Sequence, residues 1–553
     1  MTSLYARHKR TTLAIATAVA AGALLTTGLS TGTSAAAPAD AGAKAAPSAV
    51  PVALAPAART ALIKDQQAEA AETADAIGLG AQEKLVVKDV VKDADGTVHT
   101  RYERTYAGLP VLGGDLVVHE SASGASKGVT KATKAAIKVA SLKPAITAAK
   151  AEGQAVSLAK SAGSTKTEAD KAPRKVIWAA SGTPTLAYET VVGGLQEDGT
   201  PNELHVITDA ATGKKLYEYQ GIETGTGKSG YSGTVTLGTA LSGSTYQLND
   251  ASRGGHKTYN LARRTSGTGT LFTDADDTWG TGTFGSSSSD QTAAVDAAYG
   301  AQTTWDYYKS TFGRSGIKND GKAAYSRVHY GNAYVNAFWD DSCFCMTYGD
   351  GEGNTKPLTS LDVAGHEMTH GVTSNTAGLV YSGESGGLNE ATSDIFGTAV
   401  EFYAKNSADV GDYLIGEKID INGDGTPLRY MDKPSKDGSS ADNWSSSLGG
   451  MDVHHSSGPA NHFFYLLSEG SGAKTINGVS YNSPTSNGST VTGIGRDKAA
   501  AIWYKALTEY MTSTTNYKAA RTATLNAASA LYGGTGSTEY KAVAAAWSGV
   551  NVS

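Results

Sequence analysis

The stretch LDVAGHEMTHGV (Leu361–Val372) decides how this chain is read. It contains H-E-x-x-H as His366, Glu367 and His370. On a helix, residues i and i+4 share a face, so both imidazoles can reach one metal ion. Glu367 stands beside the first histidine, where a carboxylate can take a proton from a water near that ion. The donors suit catalytic zinc, which takes three protein ligands and keeps a fourth position open.

The third ligand lies downstream. A metzincin extension would put Gly at 373 and His at 376, but the residues are Thr373 and Thr376, so that class is excluded. Sixteen residues after His370 begins GGLNEATSD (Gly386–Asp394), which puts Glu390 twenty residues on. There Glu390 opens a second helical stretch and can coordinate the same ion. Asp394, four residues on, shares its face and can accept the other N–H of a ligating imidazole. Asn389 can do the same for the second histidine.

Around this centre the chain divides by composition. Residues 1–37 read as a secretory signal: Arg7, Lys9 and Arg10, an Ala/Leu-rich stretch, then Ser34–Ala37 before Pro38. Residues 38–80 are Ala-rich and read as a linker or loose helix opening the propeptide. Strand-like alternation from Leu85, over Val98–Tyr106 and over Leu109–His119 with a Gly113-Gly114 turn, marks a first module at 81–130. A second, at 131–222, has Lys/Ala-rich helical patterning (Lys127–Lys171) and strands over Pro184–Val192 and Asn202–Gln220. A Gly/Ser/Thr-rich linker (Gly221–Gly233) follows. Residues 223–372 are strand-rich, with one helix from Gln291 to about Thr311, and end in the H-E-x-x-H helix. Residues 373–553 are helical, with the last helices over Arg496–Met511, Asn516–Leu531 and Ser537–Trp547. The fold class is α+β, with a strand-rich and a helical lobe meeting at a cleft.

Charge and cysteine content narrow the function. The 553 residues carry 47 Lys+Arg and 53 Asp+Glu, a net charge of −6, which excludes the basic footprint of a nucleic-acid binder. From residue 225 onward, 23 basic residues face 31 acidic ones, and excess carboxylates on an exported domain suit hard cations. No apolar run of about 18 residues follows the N-terminus, so no membrane span is expected after signal removal. The two cysteines, Cys343 and Cys345, flank Phe344. Outside the cell they can form a small-ring disulfide, or remain as free or metal-contacting thiols.

The blocks NAFW (Asn336–Trp339), YGDG (Tyr348–Gly351), GLVYSGESGGLNEATSDIFGTAVEFYA (Gly378–Ala404), VHHSSGPANHFFYLL (Val453–Leu467) and GIGRDKAAAIWYKALTEYMT (Gly493–Thr512) follow in order around DVAGHEMTHGVT. Over residues 230–551 the chain closely resembles the thermolysin-like neutral zinc metalloproteases, and the upstream modules resemble that family's propeptide. The resemblance implies a secreted zinc endopeptidase made as a zymogen cleaved near residue 224, with its propeptide as intramolecular chaperone and inhibitor. It implies zinc on His366, His370 and Glu390, and Glu367 as general base. Tyr381 and His454 match the oxyanion-stabilising pair, and Asn336, Ala337 and Arg429 match substrate-backbone contacts. Val363 and Leu428 match walls of an apolar pocket for the residue after the cleaved bond. Asp362, Glu401, Asp409 and Glu417 match calcium ligands.

Three departures stand out. The family's Asp five residues before the oxyanion histidine is Gly449 here, with Asp452 as a substitute. The segment Val410–Glu417 and the Cys343–Cys345 loop are each two residues longer than the family pattern. DINGDG (Asp420–Gly425) resembles the start of a calcium loop but has Met431 where the closing Glu belongs, and reads as a turn. Two rivals are set against the endopeptidase. A zinc aminopeptidase would carry an acidic amine-gripping motif upstream of His366, and none is found. A non-catalytic adhesion module would have no need of Glu367.

Overall fold

The computed structural model describes residues 52, 54–196, 202–221 and 224–553. The signal at 1–37, and residues 222 and 223 at the expected processing junction, lie outside the described residues.

The chain divides into two compact units. The first runs to Gly78 and adds Leu85–Glu103 and Leu116–Lys131. Of the two readings of the Ala-rich stretch, linker or loose helix, the structure has the helix: the 21-residue α1 (Pro56–Ala76) within this unit. Its buried Gln66 accepts hydrogen bonds from the hydroxyls of Thr100 (2.8 Å) and Tyr102 (3.3 Å), which ties the helix to strand Val98–Tyr106. Such side-chain anchoring, with no apolar stripe in the sequence, is why periodicity alone left linker and helix both open. Strand Val98–Tyr106 pairs antiparallel with Leu116–Glu120, from Val98↔Glu120 to Tyr102↔Leu116, and that strand pairs with Ser126–Lys131.

The second unit holds Leu79–Lys84, Arg104–Asp115 and everything from Ala132 onward. Its first part is an antiparallel sheet of Arg174–Trp178, Thr185–Val192, Leu204–Asp209 and Lys215–Gln220. Helix α2 (Ala148–Ser161) lays Ala151, Ala155 and Ala159 on one buried face, and the latter two pack with Val192 and Val206. Small residues at i, i+4 and i+8 let the helix sit close on the strands.

From Thr224 the same unit builds a further sheet and a run of helices. Strands His256–Asn260, Tyr325–Tyr330 and Cys345–Gly349 pair in parallel, and Ala337–Asp340 closes the edge antiparallel to Cys345–Gly349. Helix α3 (Gln291–Phe312) starts where the Asp290 side chain accepts from Thr292 N–H and ends at Gly313, in the left-handed region. The others are α4 (Leu361–Ser374), α5 (Gly383–Ala404), α6 (Val453–Ser456), α7 (Gly458–Glu469), α8 (Arg496–Lys505), α9 (Tyr517–Tyr532) and α10 (Thr538–Gly549). One continuous apolar core joins sheet residues such as Trp279, Val328 and Met346 to helical Leu388, Phe396, Trp503 and Trp547, so the two expected lobes share their interior. No helix among the described residues is long and apolar enough to cross a membrane.

Helix α5 begins at Gly383, seven residues before Glu390, where the sequence reading opened it. Gly386 and Gly387 look like breakers in a sequence. Here they admit neighbours: a Cβ on Gly386 would lie 2.5 Å from Val453 Cγ1, and one on Gly387 2.8 Å from the Ser456 carbonyl oxygen. The crossing of α4 and α5 is equally close. A Cβ on Gly365 would lie 3.1 Å from Gly397 Cα, and one on Gly397 2.5 Å from the Asp362 carbonyl oxygen. Gly397→Ala should therefore destabilise by about 1–3 kcal/mol, although the same change in an open helix position stabilises by up to about 1 kcal/mol. Gly153→Ala, with nothing within 4 Å of its new Cβ, provides that comparison. Calorimetry should show a lower melting temperature for the first variant only.

Candidate active site

Helices α4 and α5 bring the three expected ligands together. His366 Nε2 and His370 Nε2 lie 3.1 Å apart. Glu390, fully buried, faces both: Oε2 is 3.5 Å from His366 Nε2 and Oε1 is 3.6 Å from His370 Nε2. The opposite ring nitrogens are occupied. His366 Nδ1 is 2.8 Å from Asp394 Oδ1, and His370 Nδ1 is 2.7 Å from Asn389 Oδ1. Each Nδ1 then carries the proton and each Nε2 presents its lone pair to the centre. Glu390 Oε2 is buried with no hydrogen-bond donor. Two aligned imidazoles and an orphaned carboxylate oxygen fit a divalent zinc ion.

The electrostatics point the same way. Burial opposes charge on His366, but the Asp394 hydrogen bond and the Glu390 charge outweigh it and lift the imidazole to about 9. Burial and the His366 charge together push His370 down to about 4. Burial also opposes the Glu390 charge, yet His454, His366 and His370 bring its carboxyl to about 2. The site thus draws in positive charge on a proton where an ion can supply it instead.

Asp394 anchors more than His366. It accepts from Arg429 Nε (2.8 Å) and Nη2 (2.6 Å) and from Asn461 Nδ2 (2.8 Å). Two of the Arg429 nitrogens are therefore committed to the carboxylate behind the first histidine. Asn461 is missed by sequence reasoning, because its only signal is a lone amide inside the apolar run of α7.

Glu367, next to His366 on α4, is buried, and burial raises its carboxyl to about 7 against the opposing charge of His366. The Tyr381 hydroxyl bonds Glu390 Oε1 and lies 3.3 Å from His454 Nε2. His454 belongs to α6, whose N-cap is Asp452. Asp452 Oδ1 accepts from both the backbone N–H (3.0 Å) and Nδ1 (2.7 Å) of His454. The substitute suggested by the sequence is thus the residue in contact with His454, while Gly449 lies in the 3-10 turn Leu448–Gly450.

Asn336, exposed, precedes the edge strand and accepts from the Gly349 N–H through its carbonyl. Ala337 pairs with Tyr348 inside it. Val363 and Leu428 meet at Gly416, where a Cβ would lie 4.0 Å from Val363 Cγ2 and 3.4 Å from Leu428 Cβ.

A second acidic cluster lies at the start of α4. Oxygen atoms of Asp362, Glu401 and Glu417 lie within 4.8 Å of one another. Both Asp409 oxygens, Glu401 Oε1 and Glu417 Oε2 are buried without a hydrogen-bond donor, although Lys418 Nζ approaches Asp409 at 3.6 Å. Burial, then the charge of Asp362, raises Glu417 to about 10 and Asp409 to about 7. Asp412, in the lengthened segment and absent from the sequence reading, is also buried and raised to about 6. An all-oxygen set of unpaired carboxylates fits a hard cation such as calcium. The DINGDG stretch is an exposed turn, with Gly425 N–H donating to Asp420 Oδ1. Cys343 and Cys345 are disulfide-bonded, with Cα atoms 5.3 Å apart.

Comparison with known proteins agrees with this geometry. The family model described as thermolysin metallopeptidase, catalytic domain, matches residues 224–374. That described as thermolysin metallopeptidase, alpha-helical domain, matches 377–552, and the fungalysin/thermolysin propeptide motif matches 83–133. The transglutaminase-activating metalloprotease of Streptomyces mobaraensis is 65% identical over 90% of this chain; the chain spans 65% of that relative's length. Bacillolysin of Bacillus cereus is 37% identical, over 85% of this chain and 86% of its own. Thermolysin of Alicyclobacillus acidocaldarius is 38% identical, over 86% and 87%. The chain belongs to the thermolysin family of metallopeptidases, with that family's propeptide motif ahead of the catalytic domain.

Proposed function

We propose that the chain is a secreted zinc endopeptidase made as a zymogen, cleaving internal bonds that precede bulky apolar residues. The observation that carries this is the meeting of His366, His370 and Glu390 beside a buried Glu367. Zinc held by those three residues would supply a Lewis acid that polarises the scissile carbonyl and acidifies water.

The chain's own residues do the rest. An extended substrate adds to the open side of edge strand Ala337–Asp340 by main-chain hydrogen bonds. Val363 and Leu428 receive the apolar side chain after the cleaved bond. A methylene in such a pocket is worth only about 1–3 kcal/mol, so the preference is broad. Glu367 takes the proton of the attacking water and delivers it to the departing amine. Its buried carboxyl, near neutrality, is matched to holding and releasing one proton. Tyr381 O–H and His454 Nε2 donate to the developing oxyanion, each contact of this kind being worth about 2.7–4 kcal/mol. Asp452 holds His454 Nδ1 at 2.7 Å and so orients the ring.

Calcium bound by Asp362, Glu401, Asp409 and Glu417, with Asp412 beside them, would neutralise the repulsion at the base of α4. The propeptide motif supports synthesis as an inactive precursor, and the basic and apolar residues at 1–37 support export. The Streptomyces relative is named for activating a transglutaminase. Limited cleavage of another secreted precursor is chemistry this site can perform.

Three outcomes follow. Glu367→Gln should keep zinc, measured by metal analysis, and lower kcat on a blocked, internally quenched peptide by about 10²–10⁴-fold; full turnover would remove the base assignment. Asp394→Ala should weaken zinc affinity by about 10–100-fold in a chelator competition, since it frees the His366 ring. Calcium at about 100 times its Kd stabilises by about 2.7 kcal/mol. A calcium-selective chelator, with zinc kept present, should therefore lower the melting temperature and speed autolysis, and an unchanged melting curve would contradict the calcium assignment.

A further inference from the structure

The hairpin that carries the edge strand ends in the one disulfide among the described residues. Strand Ala337–Asp340 and strand Cys345–Gly349 are joined by residues 341–344, and Asp340 pairs with Cys345 as the last rung. The disulfide closes this tip on itself and holds Phe344 at φ +55°, a conformation that L side chains rarely adopt. So held, the Phe344 ring stands edge-on to Trp339, with centroids 5.1 Å apart, and Lys318 Nζ covers its other side at 4.2 Å.

Trp339 passes this constraint to the catalytic helix in two ways. Its indole lies against Gly371, next to His370, so closely that a Cβ there would fall 2.8 Å from the ring. Its Nε1–H donates to Asp341 Oδ1 (2.8 Å), whose other oxygen accepts from Ser374 Oγ (2.9 Å) at the end of α4. Cys343 is partly buried while Cys345 is fully buried, so the Cys343 sulfur is the more accessible to attack and that of Cys345 is the leaving group.

We infer that Cys343 and Cys345 are positioning residues for the hydrolytic reaction, and that their disulfide is a reversible thiol switch acting through Phe344 and Trp339. This rests on reading Glu367 as the base and Ala337–Asp340 as the substrate strand. A thiolate of a small dithiol attacks the Cys343 sulfur, breaks the S–S bond and expels the Cys345 thiolate, which takes up a proton. The dithiol's second thiolate then attacks the mixed disulfide and releases Cys343 as a thiol. Two electrons pass to the protein, and the dithiol leaves as its cyclic disulfide. Phe344 is then free to leave the left-handed region, and its ring withdraws from Trp339. The edge strand loosens, and the support that Trp339 and Asp341 give to Gly371 and Ser374 on the helix of Glu367 shifts. Closing so short a loop removes little entropy from the unfolded chain, so the effect is local and not a loss of global stability.

The test uses zinc-loaded holoenzyme, reduced with a dithiol that is removed by gel filtration before assay. Mass spectrometry confirms both thiols, and metal analysis follows zinc. A displacement of about 1 Å costs up to about 100-fold in rate, so kcat should fall about tenfold with a smaller change in KM. Reoxidation should restore it. Hydrogen exchange over residues 335–340 should quicken while the melting temperature holds. The Cys343→Ser/Cys345→Ser variant should have the lowered kcat permanently. Phe344→Gly, which keeps the disulfide but lacks the ring, should be slow and insensitive to the dithiol. Unchanged exchange and kcat in fully reduced protein would overturn the inference. So would a fully active double-serine variant, or a loss of kcat that added zinc reverses. An oxidised, zinc-loaded enzyme with no peptidase activity would instead overturn the functional reading beneath it.

Discussion

Everything at the active centre depends on how closely α4 and α5 cross. Gly365 and Gly397 face each other at the contact and leave no room for a side chain between the backbones. Only at that separation can a short carboxylate on α5 reach imidazoles on α4. Glu390 and Asp394, one turn apart, take different sides of the same imidazoles. Glu390 faces the Nε2 atoms, and Asp394 holds His366 from behind. Arg429 and Asn461 then fix Asp394, so the rings are oriented by a hydrogen-bonded shell reaching well beyond the ligands.

The same helix carries two clusters of opposite chemical character. Asp362 lies one turn before His366, its carboxylate accepting from Gly416 N–H (2.6 Å) and Ser360 Oγ (2.6 Å) among other acids. The histidine cluster has nitrogen donors for a borderline metal, and the acidic cluster has only oxygens for a hard one. Buried carboxylates without counter-charge are costly, and in each cluster the burial raises carboxyl groups toward the neutral form. Cations at both positions would relieve that cost along one element, linking the order of α4 to occupancy at either end.

Much of this was legible in order along the chain. H-E-x-x-H, the Asn389–Glu390–Asp394 group and the segments of alternating or helical period depend on spacing within one element, and spacing survives in a sequence. The strands at Val98–Tyr106 and Thr185–Val192 and the helix at Gln291–Phe312 fall where pattern placed them. The first turns of α5 did not, because close backbone approach overrides the glycine signals there, and α1 was only one of two readings because polar contacts anchor it. Asp452 could only be suggested: its contact with His454 depends on the two-residue step of a short helix N-terminus.

By itself, then, the sequence determined which atoms are present and which elements carry them: two imidazoles and a carboxylate at helical spacing, acids in excess, and the ordered blocks of a metallopeptidase family. Only the tertiary structure decided which of them meet. Asp412 joins the acids, Asn461 meets Asp394, and Trp339 leans on Gly371 beneath a disulfide-locked tip. The reason is physical. Contacts between residues tens of positions apart are set by how closely packed backbones approach, and that distance is written in the volumes of glycines and their neighbours, not in the period of any one segment.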